Sequence, residues 1–240
     1  MSNYLSRAEI DKISEGLLEM YDKQRKKKTT SYVDIEHFIT DFLKLKIQYA
    51  AFAEEDMGRI GFLSDGETPL MIYQNGQAIP YIFSKDTIVL DEFLRSEKEI
   101  GRRRFTMSHE AAHSIFQRMN CKQHTSRFHT EYDNERAYSI EELKQIFAAS
   151  EWQSDAMGAS LLMPKYLIEK NAKKVGVKIP IKVYGDTVFS PEDKMLILQI
   201  AKIMKASYTA LVIRMKDLDM LEYHEMSEFI ETELQLGGAD

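Results

Sequence analysis

The stretch from Phe105 to Phe116 constrains this chain more than any other, because it sets two histidines and a glutamate among apolar residues. His109 and His113 stand four apart with Glu110 beside the first, flanked by Phe105, Met107, Ala111, Ala112, Ile115 and Phe116. That spacing predicts a helix over about 97–119, buried near the centre of a domain. On such a helix His109 and His113 project from one face, and Glu110 is turned from His109 by about 100°. Burying these groups unpaired is costly, so the pattern predicts that the two histidines share a metal ion.

The expected chemistry is that of zinc held by two imidazoles and one further protein ligand, with a coordination position left open. A metal there acidifies water and polarises a carbonyl, and Glu110 is placed to take the proton as general base. Manganese or another divalent ion also suits two nitrogens and one oxygen. The third ligand has several candidates downstream: His124, His129, Glu131, Glu135, Glu141, Glu142 and Glu151. Where a metzincin spacing requires a third histidine, this chain has Met119. Glu151 opens a helical pattern and shares a face with Asp155, four residues on. One of the two carboxylates can then bind the metal while the other accepts a hydrogen bond from a ligand histidine. This is a gluzincin arrangement, although an acid at a helix N-terminus is also favourable on its own. A tyrosine or histidine donor often assists zinc in such sites, and Tyr132, Tyr138, Tyr166, Tyr208 and His224 are available.

The rest of the chain supplies a frame for that helix. Ser6 and Glu9 read as a capping box opening a first helix to about Gln24. Arg25 to Lys28 is a basic run suited to its C-terminal end. Ile35, Phe38, Ile39, Phe42 and Leu43 form the stripe of a second helix starting near Ser31. From Gln48 the period changes: residues 60–63, 70–73 and 87–90 are short, β-branched or aromatic segments, and Asn75-Gly76 is a strong hairpin signal. Residues 48–91 are therefore expected to form a small, mostly antiparallel sheet. Residues 121–138 are polar and irregular. Helical patterns follow at 139–147 and 150–170, and residues 177–188 look extended. Ser190-Pro191-Glu192 starts another helix, which breaks near Ala206-Ser207 before a last one over 209–215.

Composition narrows the class. The chain is 44% hydrophobic and 29% charged with a net charge of −6, a globular balance with no global pull toward nucleic acid. The single cysteine, Cys121, excludes an internal disulfide and fits a reducing compartment. There is no apolar run of 18 residues and no signal-peptide pattern, so a cytoplasmic address without a membrane span is expected.

The run Arg102-Arg103-Arg104-Phe105-Thr106-Met107-Ser108-His109-Glu110-Ala111-Ala112-His113, and then Glu151-x-x-x-Asp155 leading to Leu161-Leu162-Met163-Pro164, resembles the ImmA/IrrE metallo-endopeptidases. The clear resemblance spans about Thr87 to Lys165. It implies that His109, His113 and Glu151 bind zinc, that Glu110 is the general base, and that Asp155 stands behind a ligand histidine. This chain departs from the pattern at Ser154 and Gly158, where alanine is usual, and at Met157, where phenylalanine is common. The implied fold is α+β: a mainly helical, zincin-like metalloprotease domain with a small antiparallel sheet over residues 1–175, then helix-turn-helix-like helices over 176–240.

The implied function is an endopeptidase that cleaves a helix-turn-helix transcriptional repressor and so relieves repression. The alternatives are a protease of a toxin–antitoxin partner and a non-proteolytic antirepressor with a structural zinc. Direct DNA binding by the C-terminal helices is not expected. Ser190 to His224 balances Lys194, Lys202, Lys205, Arg214 and Lys216 against Glu192, Asp193, Asp217, Asp219 and Glu222.

Overall fold

The structure is a computed structural model and describes residues 5–53, 59–119, 140–232 and 234, with side chains between 140 and 232 described from Ser150 onward. The fold is α+β, and the chain forms two compact units, one of residues 1–28 and 33–162, the other of residues 29–32 and 163–240. The helix after Pro164 packs against the one that begins at Pro191, and the two units divide at Leu162/Met163.

In the first unit α1 (Arg7–Gln24) starts on the expected capping box, Ser6 accepting from the Glu9 amide while the Glu9 carboxylate accepts from the Ser6 amide. The next helical segment is shorter than its apolar stripe suggests. Asp34 caps α2 (Ile35–His37), which widens into a π-helical turn over Phe38–Phe42. Ile35, Phe38, Ile39 and Leu43 are nevertheless buried as the stripe requires.

Five strands follow: β1 (Lys46–Ala50), β2 (Gly61–Ser64), β3 (Leu70–Gln74), β4 (Gln77–Tyr81) and β5 (Thr87–Asp91). The Asn75-Gly76 turn joins β3 to β4 with φ of 52° and 78°, the two positive values that a type I′ hairpin demands. The expected antiparallel sheet needs one correction. In the three-stranded sheet, ordered β1-β5-β2, β2 runs antiparallel to β5 but β1 runs parallel to it. The hairpin lies between β1 and β5 in sequence, so the chain re-enters the sheet in the direction of β1. Central β5 carries an unbroken buried run, Thr87-Ile88-Val89-Leu90, as a strand covered on both faces does. Val89 joins Leu70, Ile72 and Phe83 in one core cluster, while β5 and β2 also pack against the central helix.

That helix, α3 (Ile100–Met119), follows two 3-10 turns and spans the predicted motif. Arg103 anchors its start by donating to the Leu94 and Arg95 carbonyls, and Arg104 donates to the Val33 carbonyl. Its other partner is α4 (Ile140–Leu162), one continuous helix where two patterns were expected. The break comes later, at Met163-Pro164, because proline cannot donate its backbone nitrogen and disfavours helix in the residue before it.

The second unit contains α5 (Lys165–Val175), β6 (Ile181–Tyr184), α6 (Pro191–Met204), α7 (Tyr208–Asp217), β7 (Leu221–His224) and α8 (Met226–Thr232). β6 and β7 pair in parallel, so α6 and α7 form the crossover between them, a strand pairing that local patterns do not reveal. Helices α6 and α7 are bent by 100° across a three-residue break. No single helix among the described residues is long and apolar enough to cross a membrane.

Candidate metal centre

Helix α3 is buried on the face that meets the sheet and on the face that meets α4, which leaves His109 and His113 half-buried along one seam. Small residues make the seam narrow. Ala111 and Ala112 are fully buried, and Gly158 of α4 faces the α3 backbone at Ser108 and His109. A Cβ on Gly158 would lie 3.2 Å from the His109 nitrogen and 3.3 Å from the Ser108 carbonyl carbon. The buried Ser108 hydroxyl ties the crossing together by donating to the Gly158 carbonyl at 2.9 Å.

This close crossing brings Glu151 of α4, about two turns before Gly158, opposite the two histidines. The His109 and His113 Nε2 atoms are 3.0 Å apart, and Glu151 places Oε2 3.2 Å from His109 Nε2 and Oε1 3.6 Å from His113 Nε2. One donor atom from each residue lies within 4.8 Å of the others, so His109, His113 and Glu151 could hold a metal ion. Zinc bonds of about 2.0–2.1 Å pointing to tetrahedral corners separate their donors by about 3.3 Å, which matches this triangle. The donor chemistry fits as well. Asp155 Oδ1 accepts from His109 Nδ1 at 2.8 Å, which leaves the lone pair of a neutral His109 on Nε2, facing the other two donors.

Glu110 is 8% exposed and lines the same cleft. Burial is the main influence on its carboxyl and pushes its pKa up to about 7; the charge of Glu151 adds to this, while His109, a backbone hydrogen bond from Leu63 and Arg59 oppose it. On His109 burial works against the charged form, but the bonds to Asp155 and Glu151 outweigh it and raise the pKa to about 10. The His109 bond, the largest influence on Glu151, holds its carboxyl below the usual range.

These shifts set a pH dependence for the metal-free chain. A neutral Glu110 favours the folded state fully below pH 4.5, and that contribution disappears as pH rises through about 7. The stability lost between pH 5 and pH 8 is expected to be larger in wild type than in Glu110→Gln by on the order of 3 kcal/mol. Denaturant titrations of both metal-free proteins at the two pH values measure this; an equal loss in both would remove burial as the cause.

The cleft has a volume of about 690 Å³ and is lined by α3 (Phe105, Thr106, His109, Glu110, His113, Gln117), by Glu151, and by the strand side from Arg59 to Leu63 with Asp65 and Thr68. β2 forms that wall, and Gly61 permits its approach: a Cβ there would stand 2.4 Å from Thr106 Cγ2 and 2.8 Å from Glu110 Oε1. In the sequence Gly61 gives one signal, a glycine inside a strand pattern, which marks a close backbone approach.

Of the residues singled out from sequence, His109, His113, Glu151, Asp155 and Glu110 are brought together here. His124, His129, Glu131, Glu135, Tyr132, Tyr138 and Cys121 lie outside the described residues, as do the side chains of Glu141 and Glu142. Tyr166, Tyr208 and His224 belong to the second unit. Among the described residues of the first unit, no tyrosine lines the cleft. Neither a protein-family model nor a curated protein matches this chain.

Proposed function

We propose that this protein is a zinc-dependent endopeptidase of the gluzincin type whose substrate is a protein, in the finest reading a helix-turn-helix transcriptional repressor. The triangle of donors from His109, His113 and Glu151, with the buried Glu110 carboxyl in the same cleft, carries this reading. Bound there, zinc supplies a Lewis acid that acidifies water and polarises a carbonyl. Asp155 fixes the His109 ring so that Nε2 faces the metal position. Glu110 accepts a proton from water as its oxygen attacks the carbonyl carbon, then returns it to the amine as the carbon–nitrogen bond breaks. The Leu63 amide, bonded to Glu110, and the packing of Gly61 hold that carboxylate against the cleft wall.

A peptide rather than a small molecule is favoured by the strand wall. β2 is the edge of its sheet among the described residues, so its outer backbone groups offer an extended chain a line of partners beside the donors. The repressor as target is supported by the resemblance of the two motif blocks alone.

The C-terminal helices support a protein-facing role over a DNA-facing one. The bend of α6 and α7 fits a helix-turn-helix, but the charge does not. Arg214 is buried, its Nε donating to the Met163 carbonyl at 3.1 Å, and the exposed positions of α7 are Thr209, Ile213 and Lys216. Few cations remain on that helix to neutralise phosphates.

The test is incubation of the zinc-loaded protein with purified helix-turn-helix regulators, with fragments read by mass spectrometry. Cleavage at one or a few bonds, abolished by a chelator and restored by zinc, is the expected result. Failure to bind zinc, or intact regulators and intact general protein substrates with loaded protein, overturns the reading.

A further inference from the structure

The two histidines of the centre are backed differently. His109 Nδ1 meets a carboxylate, Asp155, which can only accept. His113 Nδ1 meets the hydroxyl of Ser154 at 3.1 Å, one residue earlier on the same helix. Ser154 is wholly buried, and a buried hydroxyl needs a partner.

We propose that Ser154 is a positioning residue for His113: its oxygen accepts the Nδ1 hydrogen and sets the ring so that Nε2 faces His109 and Glu151. This rests on the reading of His109, His113 and Glu151 as metal ligands. His113 reaches Glu151 through Nε2, which is 3.6 Å from Oε1 and 3.0 Å from His109 Nε2. For Nε2 to offer its lone pair, the ring hydrogen must sit on Nδ1, where Ser154 supplies the acceptor. Without it, the ring loses the 3.1 Å contact from α4 that fixes its rotation about the Cβ–Cγ bond. The neutral hydroxyl also leaves His113 a weaker donor than His109, whose ring is polarised by a carboxylate. Consecutive residues of one helix thus orient both imidazoles, which couples the geometry of the centre to the rotation of α4.

The test compares wild type with Ser154→Ala and Ser154→Thr. Zinc affinity is measured by competition with a chromophoric chelator, and the Nδ1 hydrogen of His113 is followed by NMR of the zinc-loaded proteins. Thermal midpoints of the metal-free proteins serve as the structural control. Ser154→Ala is expected to weaken zinc binding about tenfold and to expose the Nδ1 hydrogen to exchange, with little change in the metal-free midpoint. Ser154→Thr, which keeps the hydroxyl, is expected to hold both. Wild-type affinity and a protected hydrogen in Ser154→Ala overturn the inference and leave the metal centre standing. Weakened binding in both variants assigns the effect to packing and also overturns it. If wild type itself takes up no zinc, the metal-centre reading fails and this inference with it.

Discussion

Glu110→Gln is expected to bind zinc as wild type does and to lose hydrolysis by at least about 100-fold. Glutamine keeps the shape of the side chain, so the packing against Gly61 and Thr106 survives. It cannot take a proton from water at neutral pH, which removes the step assigned to this residue. The environment makes Glu110 apt for that step, since burial has brought its pKa to about 7, near a working pH, and a nearby cation would bring it lower. Zinc content and cleavage rate measured on one preparation separate chemistry from metal loading. Should the proposed repressor be released as fully by the variant as by wild type, proteolysis would be sunk and capture of that partner favoured, with any bound zinc structural.

Glu151→Ala is expected to have the second large effect, on the metal itself. The side chain is 57% exposed, so its loss opens no large cavity and costs the fold little. It does remove one donor of three, and zinc affinity should fall on the order of 100-fold, with activity falling alongside. A midpoint shift on adding zinc reads this without any substrate: wild type is stabilised in proportion to the logarithm of zinc concentration over Kd, and the variant only at far higher zinc. Equal zinc stabilisation of the two proteins would mean that the third ligand lies elsewhere, with His124, His129, Glu131 and Glu135 next in line.

Legibility from sequence followed the range of the interaction. The capping box at Ser6, the Asn75-Gly76 turn and the helix around His109 are set by residues within a few positions of one another, and local pattern located them. The parallel pairing of β1 with β5 depends on segments about forty residues apart, and nothing in either strand's alternation encodes direction. β7 is four residues long and finds its partner β6 about forty residues away, so local pattern alone does not mark it. Glu151 could be ranked above its rivals, but only the crossing of α3 and α4 sets its carboxylate 3.2 Å from His109. Ser154 was noted only as a departure from a resembling pattern, because a hydroxyl gives no sign in sequence of what it will face.

Gly61 and Gly158 close in on α3 from opposite partners, the strand wall and α4. The consequence concerns redesign. Efforts to widen or retune the cleft would ordinarily vary its non-ligand positions first, and these two carry no functional group. Yet a single methyl at Gly61 would collide with Thr106 and Glu110, and one at Gly158 would press on the His109 backbone and shift it by a few tenths of an ångström. Substitution libraries should therefore hold both glycines fixed and place diversity at Ile60, Phe62 and Thr68, which also line the cleft.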